Sequence, residues 1–524
     1  MTREFSFYLA ILLIFFHFAG CAKVGPNFSR PRVVVSTKWL DAGDHRVKTE
    51  AADYRNWWRV FNDPVLDQLM DRAYRENLPL RIAGVRVLEA RAQLGIVVGE
   101  FYPQTQQAFG SLQYNRISER ATTSAFSSQL HYAQDQIGIN AGWELDFWGK
   151  FRRAIESADA SWLAAAADYD SALVSLTADV ANSYILIRTL EKRLDIARQN
   201  VETQKESLKI AEARFKYGTT SQLDVEQART LLNNTLASIP TLEAQLRQAQ
   251  NALSILMGLP PSDLANLLTG ASEIPESPTE VVVGIPTDLI RRRPDIRSAE
   301  LQAAAQSALI GVAKADLYPA FSLTGSFGFL STNIGSFSLA DMFQWRSRTY
   351  QIGPSLQWNV FNYGRITNLV RVQDARFEQL LIAYENSVLK AQQEVEDALI
   401  AFLRAQERAG FLVQSAAAAK RSLDLAVLQY REGVKDFTTV LTAQQALLNE
   451  QDNLAGTLGN IASNLVGVYR ALGGGWEIRE GKDLVPPEVK EAMAKRTNWG
   501  HLLAPTIYNP PGSAEPKPLR LPDW

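Results

Sequence analysis

The chain has 524 residues, a formal net charge of −2 and 21% charged residues, so no basic excess points to nucleic acid as a partner. Its one cysteine rules out an intrachain disulfide, and four scattered histidines (His17, His45, His131, His501) give no metal-ligand spacing. No nucleophile, base and orienting group share a motif, which argues against an enzyme and leaves no call for a bound cofactor or metal.

The N-terminus carries the first element. Met1 to Gly20 has Arg3, then a run from Phe5 to Phe18 in which only Ser6 and His17 are polar, then Ala19-Gly20-Cys21. A short apolar run closed by small residues reads as a secretory signal over residues 1–20, not as a membrane span. The place of the cysteine resembles the lipobox of bacterial lipoproteins, although Phe18 stands where that motif usually has Leu. The resemblance implies that Cys21 is the mature N-terminus and carries a covalent diacylglycerol and an N-acyl chain. An ordinary signal with an incidental cysteine and an uncleaved anchor are the competing readings. Ala22, where Asp would signal retention, implies sorting to the outer membrane. Residues 21–62 then form an extended, lipid-anchored segment.

The rest of the chain is written twice. Phe101-Tyr102-Pro103 returns as Leu317-Tyr318-Pro319, and Gly149 returns as Gly364. Phe215-Lys216-Tyr217-Gly218 returns as Tyr430-Arg431-Glu432-Gly433, and Met257-Gly258 as Leu472-Gly473. The spacing is 216 for the first pair and 215 for the others, a constant register that marks a tandem duplication. The first repeat covers 63–259, a linker 260–286, the second repeat 287–475 and a Pro-rich tail 476–524, expected to be extended or poorly ordered from Pro486.

Each repeat contains two strands, at about 104–117 and 134–147, then at about 319–331 and 349–361. In the second, Ile137, Ile139, Ala141, Trp143, Leu145 and Phe147 alternate with Gln136, Gly138, Asn140, Gly142, Glu144 and Asp146. Phe321 to Phe329 and Tyr350 to Val360 alternate likewise, while the first strand is rougher, with Phe109 out of phase. A period of two gives one apolar face and one polar face of small uncharged residues, which suits lipid on one side and water on the other. A soluble sandwich with a wet outer face competes. Four strands cannot close a membrane barrel, for which about eight is the minimum. An open edge in lipid leaves costly unpaired amides, so several chains must share one barrel.

Each strand pair is followed by a helical hairpin, at about 152–257 and about 365–472. Arg152 to Lys216 holds no Pro or Gly, and its apolar stripe from Tyr184 to Phe215 reappears 215 residues later from Leu399 to Tyr430. At 1.5 Å per residue such a helix reaches roughly 100 Å, a length that bridges a space. Gly218-Thr219-Thr220 and Gly433-Val434-Lys435 are the tip turns, and Pro240 should bend the first return helix. Gly473-Gly474-Gly475 reads as a helix stop, and Arg291 to Arg293 as caps or ion-pair partners. Trp143 and Trp148 read as interfacial anchors, with sheet-core packing the alternative.

Several landmarks together resemble the TolC-like outer-membrane factors, in their lipoprotein branch (the NodT/OprM-like group) that works with resistance-nodulation-division pumps. They are Cys21 to Phe28 with Arg30-Pro31, Trp143 to Lys150, Leu289 to Ile296, Phe361 to Arg365 and Leu472 to Trp476. The resemblance implies a mainly α fold with a membrane β-barrel part. Three chains would make one twelve-stranded barrel (3 × 4) in outer-membrane lipid and an α-helical tunnel across the periplasm. It implies a passive efflux duct for small toxic compounds, with a periplasmic adaptor on the tips near Gly218, Thr219, Gly433 and Val434 and an inner-membrane pump beyond it. Polar contacts between tips close such ducts. The matching positions are Asp224, Tyr430 and Lys435, with Arg431 a further candidate; Asp224 as a plain helix N-terminal acid is the alternative. Thr439 and Thr442 stand where the family often has acidic constriction residues. An exit duct for protein secretion and a pore-free periplasmic scaffold are the rival functions.

Overall fold

The computed structural model describes residues 23–50, 53–120, 129–262, 264–269, 273–287, 292–335 and 337–504. Strand β1 (Val47–Lys48) and a 3-10 turn at Trp57–Phe61 precede helices α1 (Pro64–Glu76) and α2 (Leu78–Gly99). Strands β2 (Thr105–Arg116) and β3 (His131–Leu145) lead into α3 (Lys150–Lys216), which α4 (Gln222–Leu256) follows antiparallel. After β4 (Val281–Val282), the second repeat gives α5 (Pro294–Ala315), β5 (Ala320–Thr332), β6 (Arg348–Gln357), α6 (Arg365–Arg431) and α7 (Phe437–Ala471). Helix α8 (Pro487–Arg496) is the last helix of the described residues. Both long helices have 67 residues and both return helices 35. No described helix is long and apolar enough to cross a membrane.

The duplication is visible in backbone geometry. Gly149 and Gly364 cap the long helices at φ 76° and 81°, Gly218 and Gly433 turn the tips at 74° and 76°, and Gly258 and Gly473 end the return helices at 68° and 70°. Each pair is 215 apart, at a φ that a side chain makes costly, so both repeats keep glycine where the chain must change direction. Helix α4 continues through Pro240, which forgoes one ladder hydrogen bond.

The four strands form one antiparallel sheet in the order β2-β3-β5-β6. Register sets Ile139 beside Ala108 and Phe327, and Phe327 beside Tyr350. On that face Tyr350 and Ile352 are 70% and 76% exposed, an apolar surface without cover in a single chain. Phe109 lies on the opposite, polar face, where its ring packs on Gly138: a Cβ there would sit 2.8 Å from Phe109 Cζ. Its break in alternation fills a glycine gap. Strands β2 and β6 are edges, so the sheet is open.

The main core lies where the N-terminal segment, both hairpins and the C-terminal segment meet. Trp57 stacks on Tyr469 at 5.3 Å and packs edge-on against Trp58. Asp63 caps α1 through the amides of Val65 and Leu66, and its second oxygen accepts the Tyr184 hydroxyl at 2.6 Å, which ties the cap to α3. Asp170, wholly buried, accepts from Arg479 and Arg297, and both guanidiniums lie over the Trp476 ring. Arg293 reaches Glu394, Asp295 and the Ala471 carbonyl, while Arg292 reaches Glu477; Arg291 lies outside the described residues. The linker does more than connect, because β4 pairs in parallel with β1. The tail also departs from expectation. Pro487 starts a helix whose Met493 packs with Val485 and Leu88 of α2, since proline is tolerated in a first turn.

Candidate functional site at the hairpin tips

Far from the sheet, the two hairpins meet over a second apolar cluster that includes Ala211, Val225, Leu423, Tyr430, Phe437 and Val440. Tyr430 is buried, edge-on to Phe437 at 5.4 Å, and the Arg214 guanidinium lies 4.6 Å from its ring centre. Arg214 also donates to the Tyr430 carbonyl, so one cation on α3 holds the end of α6 through both ring and backbone. The Tyr430 hydroxyl is buried beside the Thr220 hydroxyl, which itself donates to Asp224. Burial pushes that phenol above its ordinary range, and the nearby Asp224 carboxylate adds to the shift.

Asp224 sits in the first turn of α4, where its carboxylate accepts from the Thr220 hydroxyl and, at 3.4 Å, from Ser221. Both carboxylate oxygens are thus engaged by hydroxyls of the residues that lead into the helix. Asp224 and Tyr430 share one locality, but Lys435 and Arg431 make no side-chain hydrogen bond or ion pair among the described residues. Both are exposed. Gly218, Thr219, Gly433 and Val434 lie at the extreme tips, with Tyr217 and Val434 exposed beside them. The Thr219 amide and hydroxyl both donate to the Arg214 carbonyl, which closes the first tip. Asp436 caps α7 through the Thr439 amide and hydroxyl, and Thr442 donates to the Thr438 carbonyl.

Sequence reading missed Arg214. Its partner 215 residues on is Gln429, so the repeat itself gives no cue. It also missed a polar seam that runs between α3 and α7 above the tips. There Arg193 forms a two-pronged ion pair with Asp452, Asn200 donates to Gln451 at 2.9 Å, and Ser207 accepts from Gln444 at 2.7 Å. Gln204 lies between these bonds, 2% exposed, with neither amide atom partnered.

At the sheet end, three indoles tie the strands to the preceding helices. Trp143 donates to the Phe101 carbonyl, Trp148 to Pro319 and Trp358 to Leu317, each across the strand–helix junction. Cys21 lies outside the described residues, but the chain just after it is fixed at this junction. The Val24 amide donates to the Trp148 carbonyl, and buried Arg153 donates to the carbonyls of Val24 and Gly25 and to the Asn27 side chain. A Cβ on Gly25 would lie 2.4 Å from Gly311 Cα, so the segment is pressed against α5.

Residues 69–259 and 285–474 match the family described as outer membrane efflux protein, one match per repeat. The pyoverdine export outer membrane protein OpmQ of Pseudomonas aeruginosa is 32% identical over 84% of this chain and 90% of its own length. The solvent efflux pump outer membrane protein SrpC of Pseudomonas putida is 31% identical over 88% and 97%. Among solved structures, the outer-membrane channel OprN superposes with a TM-score of 0.79 at 32% identity, covering 87% of this chain and 99% of that one. The open-state MtrE channel of Neisseria gonorrhoeae gives 0.74 at 26% identity, over 87% and 99%. The chain belongs to the outer membrane efflux protein family and has the fold of an outer-membrane channel protomer, in which three four-stranded sheets (3 × 4) close a twelve-stranded barrel above an α-helical tunnel.

Proposed function

We propose that the trimer is the passive exit duct of a tripartite efflux system, shut at its periplasmic end by the hairpin tips. No catalytic step is assigned to it, and energy comes from an inner-membrane pump joined through a periplasmic adaptor that engages the tips around Gly218, Thr219, Gly433 and Val434. The observation that carries this reading is the pairing of an open sheet, apolar on one face, with 67-residue helices that end in a closed cluster around Tyr430. Small toxic compounds are the cargo, in keeping with relatives whose names refer to export of solvent or pyoverdine.

In this reading Asp224, with its carboxylate beside the buried Tyr430 phenol, belongs to the lock, and Lys435 and Arg431 make their contacts with neighbouring chains. Cys21 carries the acyl chains, and the clamp of residues 24–27 by Arg153 supports this by holding the chain that follows it at the strand–helix junction. Loss of fatty-acid labelling in Cys21→Ser tests the anchor. Single-channel conductance in planar bilayers tests the duct and its gate. The parent should give small, mostly closed events, and an Asp224→Ala, Tyr430→Phe double variant should give large ones. Large conductance in both would place the lock elsewhere, and none in either would sink the duct.

A further inference from the structure

The outward face of the sheet is not a uniform apolar surface. Between β3, β5 and β6 lies a groove of about 460 Å³, floored by Ala141, Gly325 and Ile352. Small residues make the depression: Ala141 is in register with Gly325, and Gly325 with Ile352. The next row, Ile139, Phe327 and Tyr350, is bulky and walls it. Above that row, at the end of the sheet away from the helices, the connection from β5 to β6 folds back over the face. Trp345 comes to 6.5 Å from Phe327, and the Arg348 guanidinium sits 4.9 Å from the Trp345 ring centre while donating to its carbonyl.

Arg346 is exposed beside it, with Gln344 as its partner. The acid of this connection, Asp341, is occupied by the Ser338 amide and Gln344. Among the described residues the contacts of Arg346 and Arg348 are with Gln344 and Trp345, and neither has a carboxylate partner. An apolar trough thus opens at an aromatic and doubly cationic lip, and the lip lies on the outer side of the membrane because β5 runs towards it from the junction at Pro319. The occupant that complements both parts is an amphiphile with acyl chains and an anionic head.

We propose that this groove binds a phosphorylated, acylated lipid of the outer leaflet, with a chain along Ala141 and Gly325 and a phosphate on Arg348 and Arg346, once per protomer. The proposal rests on the barrel, whose apolar face meets lipid. The phosphate contact forms charge-assisted, fork-like bonds in a poorly hydrated setting, where guanidinium is the favoured cation.

Purified trimer in detergent provides the test, with bisphosphorylated lipid A, dephosphorylated lipid A and inorganic phosphate as separate probes and native mass spectrometry as readout. Bisphosphorylated lipid A should bind about tenfold more tightly than the dephosphorylated form, and inorganic phosphate should not bind. Arg346→Ala with Arg348→Ala should erase the difference, and Arg348→Lys should keep part of it. Gly325→Leu should weaken both lipids by filling the trough; a Cβ there meets nothing nearer than 3.8 Å, so the strand accommodates it. Equal binding of the two lipid A forms would overturn the proposal, as would full retention in the double variant. Phosphate binding alone would reduce the site to an anion site. Failure of a variant to trimerise would leave the parent with three probes to decide, and would fault the barrel assembly separately.

Discussion

Gln204→Leu should stabilise the protein. Gln204 is on the face of α3 that meets α7, between the Asn200–Gln451 and Ser207–Gln444 bonds, and those two pairs fix the antiparallel register. Since 200 + 451 and 207 + 444 both equal 651, position 204 faces 651 − 204 = 447, which is buried Leu447. The register thus sets a primary amide in line with an aliphatic side chain, and its nitrogen and its oxygen are both unpartnered. Burying such a group without compensation costs about 1–3 kcal/mol by protein mutational measures. Leucine has nearly the same volume and would face Leu447 without that cost, so the gain per protomer should be of that order. The measurement is the temperature at which the trimer dissociates in detergent, at fixed heating rate because such large assemblies unfold irreversibly. A higher midpoint is expected. A lower one would refute the reasoning, because it would mean that the amide has a partner, water or a neighbouring chain, that the protomer alone does not contain. The variant should also open less often in bilayers, since an apolar seam resists separation of the hairpins more than a polar one.

Asp170→Ala should cost about 3–5 kcal/mol, because it strands the buried Arg479 guanidinium and the partly buried Arg297 one around Trp476; faster proteolysis beyond Arg479 is the readout, and an unchanged digestion pattern would count against the clamp. Arg214→Ala should loosen the tip by about 1–2 kcal/mol through loss of the contact with the Tyr430 ring and carbonyl, and should raise the frequency of large openings. An unaltered opening frequency would mean that contacts between chains alone hold the gate. Burial, with Tyr54 adding to it, pushes the Tyr469 phenol up to about 12. The folded value is raised above the unfolded one near 10, so this stabilisation is present below about pH 10 and is lost as pH rises towards 12. Tyr469→Phe should lose less stability than the parent over that interval, and equal alkaline losses would contradict the burial argument.

The parts legible in the sequence are those written as local periodicity. Alternation from Ile137 to Phe147 sets the facing of β3 because strand side chains change sides at each residue, whatever the distant partner is. The long helices announce themselves through an unbroken stripe from Tyr184 to Phe215 and its copy. The parts that escaped are long-range and aperiodic. Two-residue β1 and β4 pair across more than two hundred residues without any pattern of their own. Asp170 and Arg479 are 309 residues apart, and each looks like an ordinary surface charge until the fold buries it. Proline misled in the tail, because Pro486-Pro487 suggests extended chain when the second of the pair sits in a helical first turn. At the tips, Asp224 and Tyr430 came from the family pattern, whereas Arg214 had no pattern to reveal it.

The places where the two repeats differ bear on the mechanism more than those where they agree. Glycines at the strand–helix junction, the tip and the helix end are kept in both, so the two hairpins share one backbone route. Around the tips the register pairs diverge: Arg214 with Gln429, Phe215 with Tyr430, Asp224 with Thr439. Identical hairpins would present identical surfaces, and a cation on one could not find a distinct ring and carbonyl on the other. With divergence, the first hairpin supplies the cation and the acid while the second supplies the phenol, so the contact holding Tyr430 exists only between unlike hairpins. In a closed ring of three chains such contacts are confined to junctions between first and second hairpins. The second hairpin can then swing away from the first without disturbing packing inside either. In the proposed duct, opening would part the apolar cluster that both hairpins share around Tyr430, together with the cation–π contact and the polar seam along α3 and α7, while the α3–α4 and α6–α7 packing inside each hairpin stays intact.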